Sequence, residues 1–135
     1  MNPNSEKMLE VDAWGTANGS NVAIWDDHGG ANQRWTLINA GSGYYKLINV
    51  HSGRALEVDG WGTANGANVT IWDDTGADNQ LWQLMDTGGG NYKLINKHSG
   101  KALDVAGSGS ANGTNVQIWT DLNNAAQKWK LIQLN

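Results

Sequence analysis

A carboxylate and a tryptophan recur together three times along this 135-residue chain. In "LEVDGWGTANGANVTIWDD", residues 56–74, they are Glu57 and Trp72. An indole face can stack on the apolar C–H face of a sugar ring, and a carboxylate accepts hydrogen bonds from hydroxyls. The pair therefore suits carbohydrate binding if both side chains face away from the core. The alternative is an indole that lies flat over polar neighbours beside a solvated carboxylate.

The pair recurs because the chain contains a repeat with a period of 47 residues. Near-copies of the quoted line begin at Leu9, Leu56 and Leu103. A Gln-x-Trp motif follows each copy, and its tryptophans are Trp35, Trp82 and Trp129. We place the repeats roughly at 1–43, 44–90 and 91–135, and we expect one domain because residues 1–135 are enough for a single core.

The pattern within each repeat predicts short β-strands rather than helices. In the second repeat the candidate strands are 44–49, 54–58, 68–72 and 81–85, separated by turns rich in Gly, Asn and Asp. Such a unit repeated three times is typical of a β-trefoil, an all-β fold with threefold symmetry.

The first repeat is incomplete at its start. Only Met1 and Asn2 remain of its first strand, so we expect eleven strands where closure of the fold needs twelve. The edge left open there would allow pairing in trans, and a homo-oligomer through this N-terminal edge is one expectation.

Alternation along the strands indicates which side chains face outward. Val69 and Ile71 share one face of their strand, so Thr70 and Trp72 point to the other. If the aliphatic faces form the core, the outward residues of the three repeats are Glu10 and Trp25; Glu57, Thr70 and Trp72; and Asp104, Gln117 and Trp119.

The tryptophans of the Gln-x-Trp motifs have a different expected environment. Trp82 shares its face with Leu84, and Trp35 shares its face with Leu37, so we expect this series to anchor the core. The glutamines that precede them are expected to bond nearby backbone; they are Gln33, Gln80 and Gln127.

Two further tryptophans, Trp14 and Trp61, lie in the loop "VD(A/G)WG", where the third repeat has Ser108. They could extend the stacking surface of the first two repeats. Alternatively, they clasp the loop over the rim of the barrel, and the sequence favours neither interpretation.

Three copies of Gln-x-Trp, each preceded by the pattern "SGxxL(D/E)V…NG…NV.IW", resemble the ricin B-chain type of lectin domain. This β-trefoil is also classed as carbohydrate-binding module family 13, and the resemblance covers nearly the whole chain. It implies a non-catalytic domain with up to three shallow sites for galactosides, xylan or other β-glycans. Sites around a threefold axis would raise the affinity for polymeric glycans by avidity. The resemblance also implies secretion, although the chain carries no signal peptide.

The resemblance implies a set of sugar-binding residues in each repeat. They are Glu10, Trp25 and Asn32 in the first repeat, Glu57, Thr70, Trp72 and Asn79 in the second, and Asp104, Gln117 and Trp119 in the third. Departures from the family pattern occur in every repeat. Glutamate replaces the family's Asp in two repeats, Ala23 occupies the Gln position in the first repeat, and Ala126 occupies the Asn position in the third.

Composition argues against several other functions. The net charge of −4 and the lack of a basic patch disfavour nucleic acid as a partner, and no apolar run approaches the roughly 20 residues of a membrane span. Cysteine is absent, the acidic turns lack calcium-loop spacing, and no carboxylate pair or nucleophile suits catalysis. We therefore expect no enzyme activity, cofactor or metal. The alternative function is a trefoil scaffold for protein–protein binding.

Overall fold

The computed structural model describes residues 1–134, which contain eleven β-strands. The first repeat forms β1 (Met8–Val11), β2 (Val22–Trp25) and β3 (Trp35–Gly41). The second forms β4 (Tyr44–Asn49), β5 (Ala55–Val58), β6 (Val69–Trp72) and β7 (Trp82–Gly88). The third forms β8 (Asn91–Asn96), β9 (Ala102–Val105), β10 (Val116–Trp119) and β11 (Trp129–Lys130).

Short 3-10 turns are the helical elements of this part of the chain. Each has three residues, and they are Asp12–Trp14, Ala31–Gln33, Asp59–Trp61, Asp78–Gln80, Ala106–Ser108 and Ala125–Gln127. None of the helices in residues 1–134 has the length and apolar character that crossing a membrane requires.

The strands pair antiparallel in a pattern that repeats with the sequence. Hairpins join β1 to β2, β5 to β6 and β9 to β10, while β4 pairs with β3, β5 and β7, and β8 pairs with β7, β9 and β11. Single bridges link the central hairpins to one another around the axis. The all-β prediction of a β-trefoil is confirmed. The strand predicted at 81–85 continues to Gly88 because it runs on into its hairpin with β8.

Equivalent aliphatic side chains of the three repeats meet in one core. Leu9, Leu56 and Leu103 belong to it, with the valines and isoleucines of the central hairpins. Trp82 and Trp129 are almost fully buried, which confirms their prediction as core anchors. Trp35 packs against the same core but is only partly buried. Each of these indoles donates a hydrogen bond from Nε1 to the carbonyl oxygen of its repeat's leucine, over 2.9 to 3.1 Å.

Three asparagine side chains close a ring of hydrogen bonds among the repeats. Asn21 Nδ2 donates to Asn115 Oδ1 over 2.8 Å, Asn115 Nδ2 donates to Asn68 Oδ1 over 2.8 Å, and Asn68 Nδ2 donates to Asn21 Oδ1 over 2.9 Å. Because each amide needs the next one, the ring forms only when all three repeats are folded together.

The N-terminus supplies the last two positions of the missing first strand. Met1 exchanges two backbone hydrogen bonds with Lys130, of 2.9 and 2.7 Å. Asn2 Nδ2 donates to the Lys128 carbonyl over 3.0 Å, as Asn49 does to the Arg34 carbonyl in the next repeat. The predicted eleven strands and incomplete first strand are therefore confirmed.

Repeat comparison predicts one stabilising substitution in the fold. Ala13 has a φ of 51°, whereas the equivalent residues Gly60 and Gly107 have φ values of 58° and 60°. Left-handed backbone costs alanine about 1–2 kcal/mol, and glycine's freedom in the unfolded chain offsets about 0.4–1 kcal/mol of this. We expect Ala13→Gly to raise the free energy of unfolding by about 0.5–1 kcal/mol in urea titrations, and Gly60→Ala to lower it. A stability decrease in Ala13→Gly would contradict this account.

Candidate functional site

The tryptophans that end β2, β6 and β10 lie at the surface. Trp25 and Trp72 are 38% exposed and Trp119 is 36% exposed, which confirms that this series faces solvent. One edge of each indole lies beside a glycine of a neighbouring repeat. A Cβ built on Gly66, which has a φ of +90°, would be 3.9 Å from Trp119 Cζ3. The edge of each indole thus packs against a loop of the next repeat, at ordinary van der Waals distance from such a Cβ.

Most polar residues of the predicted sites are buried, including the three carboxylates that alternation predicted to face outward. Glu10, Asn32, Glu57, Thr70, Asn79 and Asp104 are all less than 8% exposed. Alternation was right that the strand residues point away from the aliphatic core. The outward prediction is wrong because the turn after each Trp strand folds back over them. Asn32 and Asn79 use Nδ2 to hold that turn, donating to the carbonyls of Val11 and Val58.

The glutamine of each Gln-x-Trp motif fastens that turn, as predicted. Gln80 accepts the Thr75 N–H over 2.9 Å and donates to the Asp73 carbonyl over 2.7 Å. It also donates to Glu57 Oε1 over 3.0 Å. Gln33 bonds Glu10 over the same distance in the first repeat. The longer glutamate side chain therefore reaches the turn, where one of its oxygens accepts a hydrogen bond from the glutamine.

The third repeat is arranged differently around its shorter carboxylate. Asp104 Oδ2 accepts a 2.9 Å hydrogen bond from Gln117 Nε2, a residue of the neighbouring strand. Gln127 keeps its backbone bonds, accepting from Leu122 N–H and donating to the Thr120 carbonyl. Asp104 and Gln117 thus form a polar pair beside the exposed face of Trp119.

A pocket of about 250 Å³ opens over this pair. Its lining consists of Asp104, Gly107, Ser108, Gln117, Trp119, Leu122 and Asn124. The predicted residues Asp104, Gln117 and Trp119 therefore meet in one place. An apolar ring face, a carboxylate and amides around one small pocket can stack a sugar ring and bond its hydroxyls.

In the first repeat another side chain already bonds the equivalent carboxylate. His28 Nε2 lies 3.1 Å from Glu10 Oε1, and the Trp14 ring stacks on His28 with 5.7 Å between centroids. Trp14 and Trp61 also contact the turn histidines of the following repeat, edge-on, with centroids 5.1 Å from His51 and 4.9 Å from His98. These are the contacts of the loop clasp, yet about half of each indole stays exposed.

Sequence reasoning missed four residues of the third-repeat pocket: Gly107, Ser108, Leu122 and Asn124. Asn124 lines the pocket, and its Oδ1 is buried with no hydrogen-bond partner within residues 1–134. The signal was a difference between repeats, since Gly30 and Ala77 occupy the equivalent positions. A third-repeat side chain that departs from both other copies is a candidate for ligand contact.

Burial raises the pKa of two carboxylates of the site. Desolvation raises the pKa of Asp104 above its ordinary value, and the hydrogen bonds from Gln117 and Gln127 oppose that shift. Desolvation likewise raises the pKa of Glu57, against a hydrogen bond from Gln80. A partly desolvated carboxylate makes stronger hydrogen bonds to a ligand than one in bulk water.

The fold of this chain is similar to that of known proteins. The sequence model of the family described as "Ricin-type beta-trefoil lectin domain-like" matches residues 1–72 and 78–135. ThreeFoil, a designed threefold symmetric protein, is 43% identical with a TM-score of 0.98, and the match covers 99% of this chain and 96% of ThreeFoil. The comparison with curated proteins found no match.

Two structures of natural proteins are also similar to this chain. An exo-β-1,3-galactanase from Clostridium thermocellum, 1,3Gal43A, is 36% identical with a TM-score of 0.97. The match covers 99% of this chain but only 29% of the galactanase, so the resemblance concerns a part of that enzyme. The Rhizoctonia solani agglutinin is 26% identical with a TM-score of 0.88, over 98% of this chain and 91% of the agglutinin.

Proposed function

The chain belongs to the ricin-type β-trefoil lectin domain-like family, and from that premise we propose that it binds carbohydrate without catalysing a reaction. One observation carries the proposal: Trp119, Asp104 and Gln117 surround a single open pocket. The pocket volume of about 250 Å³ lies below the range of about 300–1,000 Å³ that drug-sized ligands occupy. It suits one sugar ring of a longer glycan.

Each pocket residue has a distinct role in this proposal. Trp119 stacks on the apolar face of the ring. The Asp104 oxygen that Gln117 does not hold accepts a hydrogen bond from a ring hydroxyl. Gln117 Oε1 adds a further acceptor, while its amide group fixes the carboxylate.

We propose galactosides as ligands first, with xylan or other β-glycans second. The similarity to part of an exo-β-1,3-galactanase supports a galactose-containing ligand, and it supports a role beside an attached enzyme. An extracellular location belongs to the same proposal. The second candidate function, a scaffold for protein–protein binding, has the large exposed tryptophans in its favour.

A fluorescence titration with galactose, lactose and xylo-oligosaccharides tests the proposal. Because the exposed indoles line the sites, binding should shift or quench tryptophan emission, with dissociation constants in the roughly millimolar to high micromolar range. A folded sample that responds to none of these sugars would favour the protein-binding scaffold.

The first two repeats form weaker sites in this proposal. They pair Trp25 with Glu10, and Trp72 with Glu57, but Ala23 and Thr70 stand where the third repeat has the amide of Gln117. Polymeric glycans that reach a second site would gain affinity through effective concentration. This avidity predicts that polymeric galactan binds more tightly than free galactose. The difference should disappear when the sites of the first and second repeats are altered.

Sugar binding should depend on pH through Asp104. The ionised carboxylate accepts hydrogen bonds from sugar hydroxyls, and burial raises its pKa above the ordinary value of 3.8. Binding should therefore be complete at neutral pH and should fall as the pH drops through that raised pKa, about tenfold per unit below it. Galactose affinity measured between about pH 3.5 and 7 checks this, with Asp104→Asn as a variant that lacks the carboxyl. Affinity that stays constant down to pH 3.5 in the parent chain would contradict the role of Asp104.

A further inference from the structure

A histidine of the first repeat is bonded as a ligand would be. His28 stacks on the Trp14 ring, with 5.7 Å between the centroids and 28° between the planes. Its Nδ1 accepts the Gly30 N–H over 3.1 Å, so Nε2 carries the ring proton and donates to Glu10 Oε1 over 3.1 Å. The imidazole thus presents a ring to an indole and a donor to a carboxylate, as a sugar presents its apolar face and a hydroxyl.

These two rings fill the first repeat from within. They lie close over Gly30, because a Cβ built on it would be 2.6 Å from Trp14 Cη2 and 2.5 Å from His28 Cε1. The equivalent residues of the third repeat line its open sugar pocket, and they are Ser108, Leu122 and Asn124. Trp14 and His28 therefore occupy space that is open in the third repeat.

The second repeat keeps the indole of this arrangement. Trp61 has the left-handed backbone of Trp14, with φ values of 57° and 58°. Each of the two indoles meets a turn histidine of the following repeat edge-on, and Trp61 is 49% exposed. The backbone and this contact thus hold the two rings in the same way.

The second repeat lacks the histidine. Thr75 stands at its position, and its Oγ1 accepts the Ala77 N–H over 3.3 Å, just as His28 Nδ1 accepts the equivalent N–H. The threonine side chain ends at this bond, and no hydrogen bond within residues 1–134 joins it to Glu57. Thr75 therefore leaves the place of the imidazole without a ring.

The carboxylate and the indole of the second repeat match residues of the third-repeat pocket. Glu57 is 7% exposed, and so is Asp104, which lines that pocket. Trp61 stands at the position of Ser108, which lines the same pocket with Trp119. The second repeat thus has an additional stacking surface where the third repeat has a serine.

We propose that a sugar ring binds the second repeat at the place that His28 fills in the first, an inference that rests on the proposed function. The ring stacks on Trp61, and one of its hydroxyls donates a hydrogen bond to Glu57. The family of the chain favours a sugar over other rings that carry a donor. His28 in turn weakens the first repeat as a sugar site, because a ligand has to displace it from Glu10.

Exchange of the two turn residues tests the proposal by NMR of the indole N–H groups during titration with lactose. In the parent chain the Trp61 signal should shift at roughly millimolar lactose, after that of Trp119 and before that of Trp14. Thr75→His should fill the place with an imidazole and weaken the response of Trp61 at least about fivefold. His28→Thr should open the first repeat, so that the Trp14 signal shifts at the concentrations that shift Trp61.

Thr75→Ser is the matched control, because it keeps a hydroxyl that can accept the Ala77 N–H and adds no ring. It should leave the Trp61 response unchanged, and an unchanged Trp119 response shows that each variant is folded. A Trp119 response without one of Trp61 in the parent chain would overturn this inference and leave the proposed function intact. An equal Trp61 response in Thr75→His would also overturn it, whereas silence of both indoles would contradict the proposed function as well.

Discussion

Replacing Trp119 by alanine is expected to weaken galactoside binding at least tenfold, or about 1.4 kcal/mol. Trp119 is the one aromatic residue in the lining of the third-repeat pocket. Without it, a sugar ring would keep its hydrogen bonds to Asp104 but lose its stacking surface. Because Trp119 is 36% exposed, the free energy of unfolding should fall by no more than about 1 kcal/mol. Isothermal calorimetry and urea unfolding of the same preparation measure both effects.

The repeats provide matched controls for this substitution. Trp25→Ala and Trp72→Ala remove an indole of nearly equal exposure from the equivalent places in the first and second repeats. They should leave monosaccharide binding at the third-repeat pocket almost unchanged and reduce mainly the avidity for polymers. If Trp119→Ala binds galactosides as the parent chain does, while Trp72→Ala does not, the third-repeat assignment is wrong.

Replacing Trp82 by alanine should produce the opposite result, a loss of about 3–5 kcal/mol of stability. Trp82 is fully buried, and its Nε1 donates to the Leu56 carbonyl over 3.1 Å. The substitution leaves a cavity in the core and an unpaired carbonyl, and both carry a free-energy cost. Denaturant unfolding measures the loss, and the fraction of protein that remains folded should still bind sugar at the third repeat.

Trp35→Ala is the control for this second prediction. It removes the same side chain from the equivalent position, but Trp35 is only partly buried. Its loss should therefore cost less free energy than that of Trp82. Equal costs for the two variants would contradict the asymmetry between the first and second repeats.

Most of the fold was predictable from the sequence because two independent regularities agree. The 47-residue period defines three equivalent units, and the twofold alternation of "NVTIW" separates Val69 and Ile71 from Trp72. The period indicates a repeated structural unit, and the alternation reflects strand geometry. Together they predicted the β-trefoil, the buried Trp82 and the exposed Trp72. The incomplete first strand was visible as a gap in the same period.

The environment of the carboxylates was not predictable in this way. Alternation gives the face of a strand on which Glu57 lies, but it carries no information about a turn that folds over that face. Hydrogen bonds from Gln80, 23 residues further along the chain, determine that turn. The prediction that Glu57 faces outward was wrong for this reason.

Differences among the repeats proved as informative as their agreement. His28 occupies the place of Thr75 and Leu122, and it bonds Glu10 in the first repeat. Asn124 occupies the place of Gly30 and Ala77, and it lines the third-repeat pocket. Contacts between side chains of different size decide which pocket is open, and those contacts depend on three-dimensional packing rather than on periodicity.

The central claim, that sugar binds in the third-repeat pocket, is tested most directly by NMR of the indole N–H groups during titration with lactose. The indole signal of Trp119 and the side-chain amide signal of Gln117 should shift first and saturate together, before those of Trp25 and Trp72. Shifts confined to Trp25 or Trp72, or no shift in any of these signals with any glycan, would contradict the claim.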